Sequence, residues 1–222
     1  MYNACLFSGG KDSTLALHKA IASGLTIDML ITFQPENDES YMFHYPNIRF
    51  TKLQAEALGI RQVIVETKGE KEKELEDLEG ALVDNKIALL VTGATYSNYQ
   101  AGRINAIAER RGIRHVAPLW HVDPHEELEE IARDYEAIIT SVAAEGLDDT
   151  FLGKTIDKEM IARLDEANRK YGISILFEGG EAESFVIDAP LFKRRIEIKE
   201  AKKEWNGRSG KYIIQSAALI DK

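Results

Sequence analysis

The sequence predicts an α/β protein, a doubly wound and mainly parallel sheet followed by a smaller α+β domain. Three observations carry that prediction. Short apolar runs recur at residues 4–7, 27–33 and 87–91, and near-continuous runs of this kind belong to strands buried on both faces. Segments with apolar residues at helical spacing alternate with them, the rhythm of a sheet covered by helices. After about residue 136 the rhythm changes to one helix and several short β segments around turns. The expected division is therefore 1–136 for the larger domain and 137–222 for the smaller one.

The first strand, 4–7, runs into a glycine loop and then a helix over about 13–23, closed by Gly24. A second buried strand spans 27–33. The helix over 47–58 stops at Gly59, since glycine takes the left-handed conformation that ends helices. Strand 62–65 follows, then an acidic helix over about 70–84 and the strand at 87–91. Ser97 stands where an N-cap belongs, with Gln100 three residues later, a capping-box pattern. That helix turns Ile104, Ile107 and Ala108 inward and ends at Gly112. A short strand towards Trp120, another helix and a strand over 137–142 come next. Residues 157–170 form the last helix, and 184–187, 195–199 and 211–219 read as β segments.

Composition narrows the class. With 44% hydrophobic and 29% charged residues the chain has the make-up of a soluble globular protein. No run approaches the roughly 18 apolar residues of a spanning helix. The first residues lack the basic segment of a signal peptide, so a cytoplasmic protein is expected. Against 37 acids stand 28 Lys and Arg, a net charge of −9 that argues against a general nucleic-acid binder. The charge is local. Residues 66–79 hold seven acids and three bases, and 123–136 hold seven acids and one base. Both read as solvated helix faces. The single cysteine, Cys5, lies on the first strand as a small core residue and excludes an internal disulfide or a Cys-x-x-Cys pair. His121 and His125 are four apart, but Pro124 interrupts any helix that would join them, and no zinc site is read.

The strongest motif is Ser8-Gly9-Gly10-Lys11-Asp12-Ser13, placed directly after the first strand and opening the first helix. Glycines let backbone approach a phosphate closely, and the amides of a helix start point at an anion. Lys11 adds a cation, and the two serines add short hydroxyl donors. Asp12 suits either Mg²⁺ ligation or capping of the helix. The spacing is neither that of a Walker A loop nor Gly-x-Gly-x-x-Gly.

These six residues resemble the PP-loop of the N-type ATP pyrophosphatases, which implies an adenine nucleotide alpha hydrolase-like fold. In that family the loop holds the pyrophosphate end of ATP and the α-phosphorus is attacked. The resemblance puts adenine beside the end of the second strand, near Thr32 and Phe33. Three further segments follow the pattern of one branch: Thr92-Gly93 with Ser97-Asn98-Tyr99-Gln100 and Arg103, Glu178-Gly179-Gly180-Glu181-Ala182-Glu183, and the polar-aromatic stretch around Tyr41 and Phe43. Together with the loop they resemble the diphthine–ammonia ligase family, which completes diphthamide on translation elongation factor 2. Phe177 stands where that family often has glycine, and the fused C-terminal domains of longer members are absent from these 222 residues.

The resemblance implies an AMP-forming ligase that uses ATP and Mg²⁺, with elongation factor 2 as protein substrate. No glutaminase segment accompanies the loop, so the nitrogen donor is expected to be free ammonia. The loop, Ser8 to Ser13, and Gly93 would hold ATP, with Lys11 and Arg103 stabilising charge on phosphoryl oxygens. Asp12 is the candidate metal ligand. Glu181 and Glu183 are read as catalytic, and Glu178, Gly179 and Gly180 as acceptor-binding. These carboxylates would attract the trimethylammonium group of diphthine, take a proton from ammonium, or bind Mg²⁺. Tyr41, Ser97, Tyr99 and Gln100 are the other acceptor-binding candidates, and Tyr41, Phe43 or Trp120 would face the quaternary cation. Each has a plainer alternative: core packing for the aromatics, a surface charge for Arg103, a capping box for Gln100, a solvated turn for the acids. Another adenylating enzyme acting on a small carboxylate or a tRNA base, or a nucleotide sensor without turnover, stays open, as does self-association.

Overall fold

The computed structural model describes residues 1–35, 47–67, 73–95 and 98–222. The chain divides into two compact units, one of Met1–Ser8 with Asp12–His121 and one of Gly9–Lys11 with Val122–Lys222.

The first unit alternates strands and helices as expected. Its elements are β1 (Tyr2–Leu6), α1 (Lys11–Ala22), β2 (Met29–Pro35), a 3-10 turn (Ile48–Phe50), α2 (Thr51–Leu58), β3 (Arg61–Thr67), α3 (Lys73–Asp84), β4 (Ile87–Val91), α4 (Asn98–Arg111) and β5 (Arg114–Val116). The five strands form a parallel sheet in the order β3-β2-β1-β4-β5. On one face Met29, Ile31 and Phe33 pack with Leu78 and Leu82 of α3 and Ile104 and Ile107 of α4. On the other, the Cys5 sulfur lies 3.9 Å from the Ser13 carbonyl of α1. Helices on both faces explain why the strands read as unbroken apolar runs. The winding reverses between β1 and β4, and ligands of such sheets lie off the carboxyl ends of the strands at that reversal. Both Ser8 and Gly93 follow those two ends.

Helix ends obey local chemistry. Gly59 has φ 70, and its amide donates to the carbonyls of Ala55 and Glu56, closing α2. The expected helix over 47–58 opens as a 3-10 turn, where the Thr51 hydroxyl donates to the Ile48 carbonyl at 2.6 Å.

The second unit holds α5 (Pro124–Asp134), β6 (Glu136–Val142), α6 (Lys158–Tyr171), β7 (Ala182–Asp188), β8 (Arg195–Trp205) and β9 (Gly210–Ile220). Its strands form an antiparallel sheet ordered β7-β6-β9-β8. The division falls at His121/Val122 and not at 136, because α5 packs on β6 and α6. The Asp123 side chain caps α5 by accepting from the amides of His125 and Glu126, with Pro124 in the first turn. In sequence α5 continues the earlier strand–helix rhythm, which is why the boundary was expected later. Arg195 pairs in a bidentate fashion with Glu136, at 2.8 and 2.7 Å. β8 is longer than expected, since its outer half, from Glu200 to Trp205, is charged and mostly exposed and lacks an apolar alternation. Among the described residues no helix is long and apolar enough to cross a membrane.

Candidate active site

The loop after β1 is shaped by its own hydroxyls and by a neighbouring strand end. Ser13 Oγ accepts the Ser8 amide at 3.3 Å and lies 3.2 Å from Ser8 Oγ. Gly9 has φ 79, a left-handed value that glycine takes without strain. Asp12 stands half-buried in the first turn of α1. Gly93 comes so close that a Cβ on it would sit 2.7 Å from both the Asp12 carbonyl carbon and the Ser13 nitrogen. The end of β4 and the start of α1 therefore meet backbone to backbone, at a helix N-terminus suited to an anion.

The strand ends around this point are braced. Thr32 Oγ1 donates to the Phe7 carbonyl at 2.8 Å and accepts from Gln62 Nε2 at 2.8 Å. Gln62 Nε2 also reaches Thr51 Oγ1 at 2.8 Å, tying β2 and β3 to α2. Phe33 is buried among the core residues of the opposite face. The side chains of Thr32 and Phe33 are thus committed to the fold. On the other side, His115 Nε2 lies 2.8 Å from Thr92 Oγ1, and its Nδ1 meets Asn105 Oδ1 of α4. Burial lowers the His115 pKa and favours the neutral ring. A neutral ring with Nδ1 donating to the Asn105 oxygen accepts the Thr92 hydroxyl at Nε2. Arg103 lies two residues before Asn105 on the same helix, half-buried, with one guanidinium nitrogen wholly buried.

Within the second unit, Gly9–Lys11 runs beside β7. The Gly9 carbonyl accepts the Val186 amide at 2.9 Å, and the Lys11 amide donates to Ser184 Oγ at 3.0 Å. Lys11 is wholly buried. Its Nζ donates to the Leu176 carbonyl at 2.9 Å, lies 5.3 Å from the Phe177 ring centroid, and is 3.9 Å from Glu127 Oε1. The ammonium is expected to face phosphates, and here a carbonyl, an aromatic face and a carboxylate lie around the charge. Glu127 corrects an expectation. The run of acids predicts a solvated face, yet Glu127 is wholly buried on α5. It shares one stripe with Leu128 and Ile131, a spacing visible in the sequence beneath the abundance of acids.

The acidic turn is not uniform either. Phe177 has φ 70 and Gly180 has φ 81, so the chain reverses between α6 and β7. Glu181 Oε1 accepts the Ser174 amide at 2.9 Å, and its Oε2 accepts the Gly179 amide at 2.8 Å. Glu181 therefore braces the turn with both carboxylate oxygens. A Cβ on Gly179 would sit 2.8 Å from Glu181 Oε1, at the tip of that side chain. Glu178 is exposed, and Glu183 is half-buried on β7 opposite Ser141 of β6.

Each unit thus gathers part of the expected set. The first holds Ser8, Asp12, Ser13, Gly93 and Arg103, and the second holds Gly9, Gly10, Lys11, Glu178 and Glu183. Tyr41, Phe43 and Ser97 lie outside the described residues, as do the side chains of Tyr99 and Gln100 on α4. Trp120 is half-buried, edge-on to His121 with ring centroids 4.8 Å apart. Glu127, Ser184 and His115 were not among the residues expected to matter.

Residues 1–115 match the family described as the diphthamide synthase N-terminal domain, and residues 123–220 match the diphthamide synthase C-terminal domain. The join between the matches brackets the division at His121/Val122. The chain is 35% identical over 219 residues to the diphthine–ammonia ligase of Mus musculus, covering 88% of this chain and 82% of that protein. To the Homo sapiens diphthine–ammonia ligase it is 33% identical, over 87% of this chain and 81% of the other. The protein of that name from Schizosaccharomyces pombe is 30% identical, over 98% of this chain and 39% of its own length. A solved structure described as a predicted subunit of tRNA methyltransferase, from Methanocaldococcus jannaschii, aligns over 86% of this chain and 98% of its own. Its TM-score is 0.45 at 17% identity, too distant to speak to function.

Proposed function

The chain belongs to the diphthamide synthase family, and on that premise we propose the reaction and the residues through which it works as a diphthine–ammonia ligase. The substrate carboxylate, on elongation factor 2 in the cytoplasm, is ionised and a poor electrophile. One of its oxygens attacks the α-phosphorus of ATP and pyrophosphate leaves, giving an acyl-adenylate. Ammonia then attacks the acyl carbon, AMP departs with the bonding electrons, and the nitrogen loses a proton to a base.

The observation that carries this reading is the backbone contact of Gly93 with the Asp12–Ser13 peptide at the reversal of the sheet. A loop that must approach phosphates has glycines on it and glycine against it, and any side chain at 93 would displace the helix start. The amides opening α1 and the hydroxyls of Ser8 and Ser13 would hold phosphoryl oxygens, and Arg103 would balance charge that grows there. Among the described residues no cluster of three or more His, Cys, Asp or Glu forms a protein cage for a metal. A protein cage is not required for Mg²⁺, a hard cation that one or two carboxylates and substrate phosphates suffice to bind, and half-buried Asp12 would supply the hard oxygen. When bound, the ion would neutralise charge on phosphoryl oxygens.

Glu183 and Glu178 are the carboxylates we assign to the ammonium and the trimethylammonium group, with Gly179 and Gly180 shaping that turn. Glu181 supports them by holding the turn. Tyr41, Ser97, Tyr99 and Gln100 are assigned to the acceptor side on the family pattern. The test supplies ATP, Mg²⁺, ammonium and elongation factor 2 carrying diphthine, and reads the factor by mass spectrometry. An acid-to-amide change, lost in folded Glu183→Ala, is the expected outcome. AMP release with an unchanged factor would sink the assignment of the acceptor.

A further inference from the structure

We propose that Glu127 is a positioning residue for the phosphate loop, acting through Lys11. The inference rests on the loop binding ATP and not on which acceptor is amidated.

Lys11 carries its charge into a wholly buried place. Such a charge is stable only when paired and hydrogen-bonded. The Leu176 carbonyl, 2.9 Å from Nζ, and the Phe177 ring, 5.3 Å away, give dipolar and quadrupolar contacts but no net charge. Glu127, from α5, brings the countercharge at 3.9 Å. Three separated segments, α5, the turn before Glu178 and β7, therefore converge on Gly9–Lys11. What they fix is the backbone, through the Gly9 carbonyl on Val186 and the Lys11 amide on Ser184 Oγ. Two adjacent glycines carry large conformational freedom. A side-chain anchor directly after them removes it before the nucleotide arrives, so binding does not have to order the loop. The fold accepts strain to do so. Phe177 keeps φ 70, costly for a residue with a side chain, where it sets the carbonyl before it and its own ring around the ammonium.

The experiment uses the full chain and measures ATP affinity by titration calorimetry without acceptor, and the KM for ATP and for ammonium with it. The variants are Glu127→Gln, Glu127→Asp, Lys11→Met and the double variant Lys11→Met/Glu127→Leu, with exposed Glu126→Gln as control. Glu127→Gln should weaken ATP binding by about tenfold or more, and raise the KM for ATP with that for ammonium unmoved. Glu127→Asp, which keeps the charge, should recover part of the loss. The double variant should bind ATP more tightly than Glu127→Gln, because it removes the two charges of the pair together. If Glu127→Gln lowers the melting temperature but keeps ATP affinity within about twofold, the residue is merely structural and the proposal falls. Loss of binding in Lys11→Met with none in Glu127→Gln would make Lys11 a direct phosphate ligand, and the proposal falls again. Should wild type bind ATP yet leave the diphthine carboxylate unchanged, the ligase assignment fails while this inference stands.

Discussion

Gly93 and Ser13 meet across the reversal of the parallel sheet, with the Ser13 nitrogen 2.7 Å from where a Cβ on Gly93 would lie. Neither neighbour is a flexible side-chain tip. The contact is between backbones, so an added methyl has to displace the first turn of α1 or the end of β4. Gly93→Ala should therefore weaken ATP binding by roughly tenfold to a hundredfold, the usual consequence of misplacing a site by an ångström or less. Titration calorimetry with ATP would check it, and unchanged affinity would show that the loop does not hold the nucleotide.

Glu181 and Glu183 should separate cleanly. Glu181 accepts two backbone amides, and hydrogen bonds to a charged group contribute about 1.5–3 kcal/mol each. Glu181→Ala is expected to lower stability by about 2–4 kcal/mol in urea unfolding, with activity lost in proportion to the turn. Glu183→Ala should leave the unfolding curve nearly in place and abolish acceptor-dependent AMP release. A stable, inactive Glu181→Ala would reverse the two assignments.

Phe177 offers an unusual ordering. In a left-handed conformation a side chain costs about 1–2 kcal/mol that glycine does not. Both Phe177→Gly and Phe177→Ala lose the buried ring, but only the alanine variant keeps the strain. Phe177→Gly should thus be the more stable of the two, opposite to the order found inside helices and strands. Denaturant midpoints at equal slope would decide it.

His115 gives a pH signature. Its folded pKa is lowered by burial, so between that value and the ordinary 6.5 the unfolded chain binds more protons than the folded one. Its contribution is fully present above 6.5 and is lost as pH falls through that window towards the folded value. Stability measured at successive pH values below neutrality should decline less steeply in His115→Gln than in wild type. Identical slopes would remove His115 from the bracing of Thr92.

Much of this was legible in the order of residues. The parallel strands announce themselves as apolar runs because helices cover both faces, and the loop stands out because glycines and hydroxyls follow a strand and open a helix. What could not be read is the partner of each charge. Lys11 looks like a phosphate cation in sequence, and only the packing of α5 and of the turn after α6 shows it enclosed. Glu127 sat in a run of acids whose number masked the apolar stripe to which it belongs. Glu181 reads as catalytic beside two glycines, and the order of residues does not show that its carboxylate also closes a turn whose shape depends on positive φ at Phe177 and Gly180. The place of α5 is not legible in the sequence, because a helix carries no mark of which sheet it covers.

The lone thiol has a practical use. Cys5 is wholly buried on β1, and burial pushes its pKa far above the ordinary range, so it stays protonated and shielded from reagents. The native chain is consequently a silent background for maleimide chemistry. One cysteine introduced into each unit, at exposed Glu126 and exposed Lys52 for instance, would carry a donor and an acceptor dye without any prior removal of thiols. Energy transfer between them, followed as ATP and then ammonium are added, would time the steps of the reaction in single molecules.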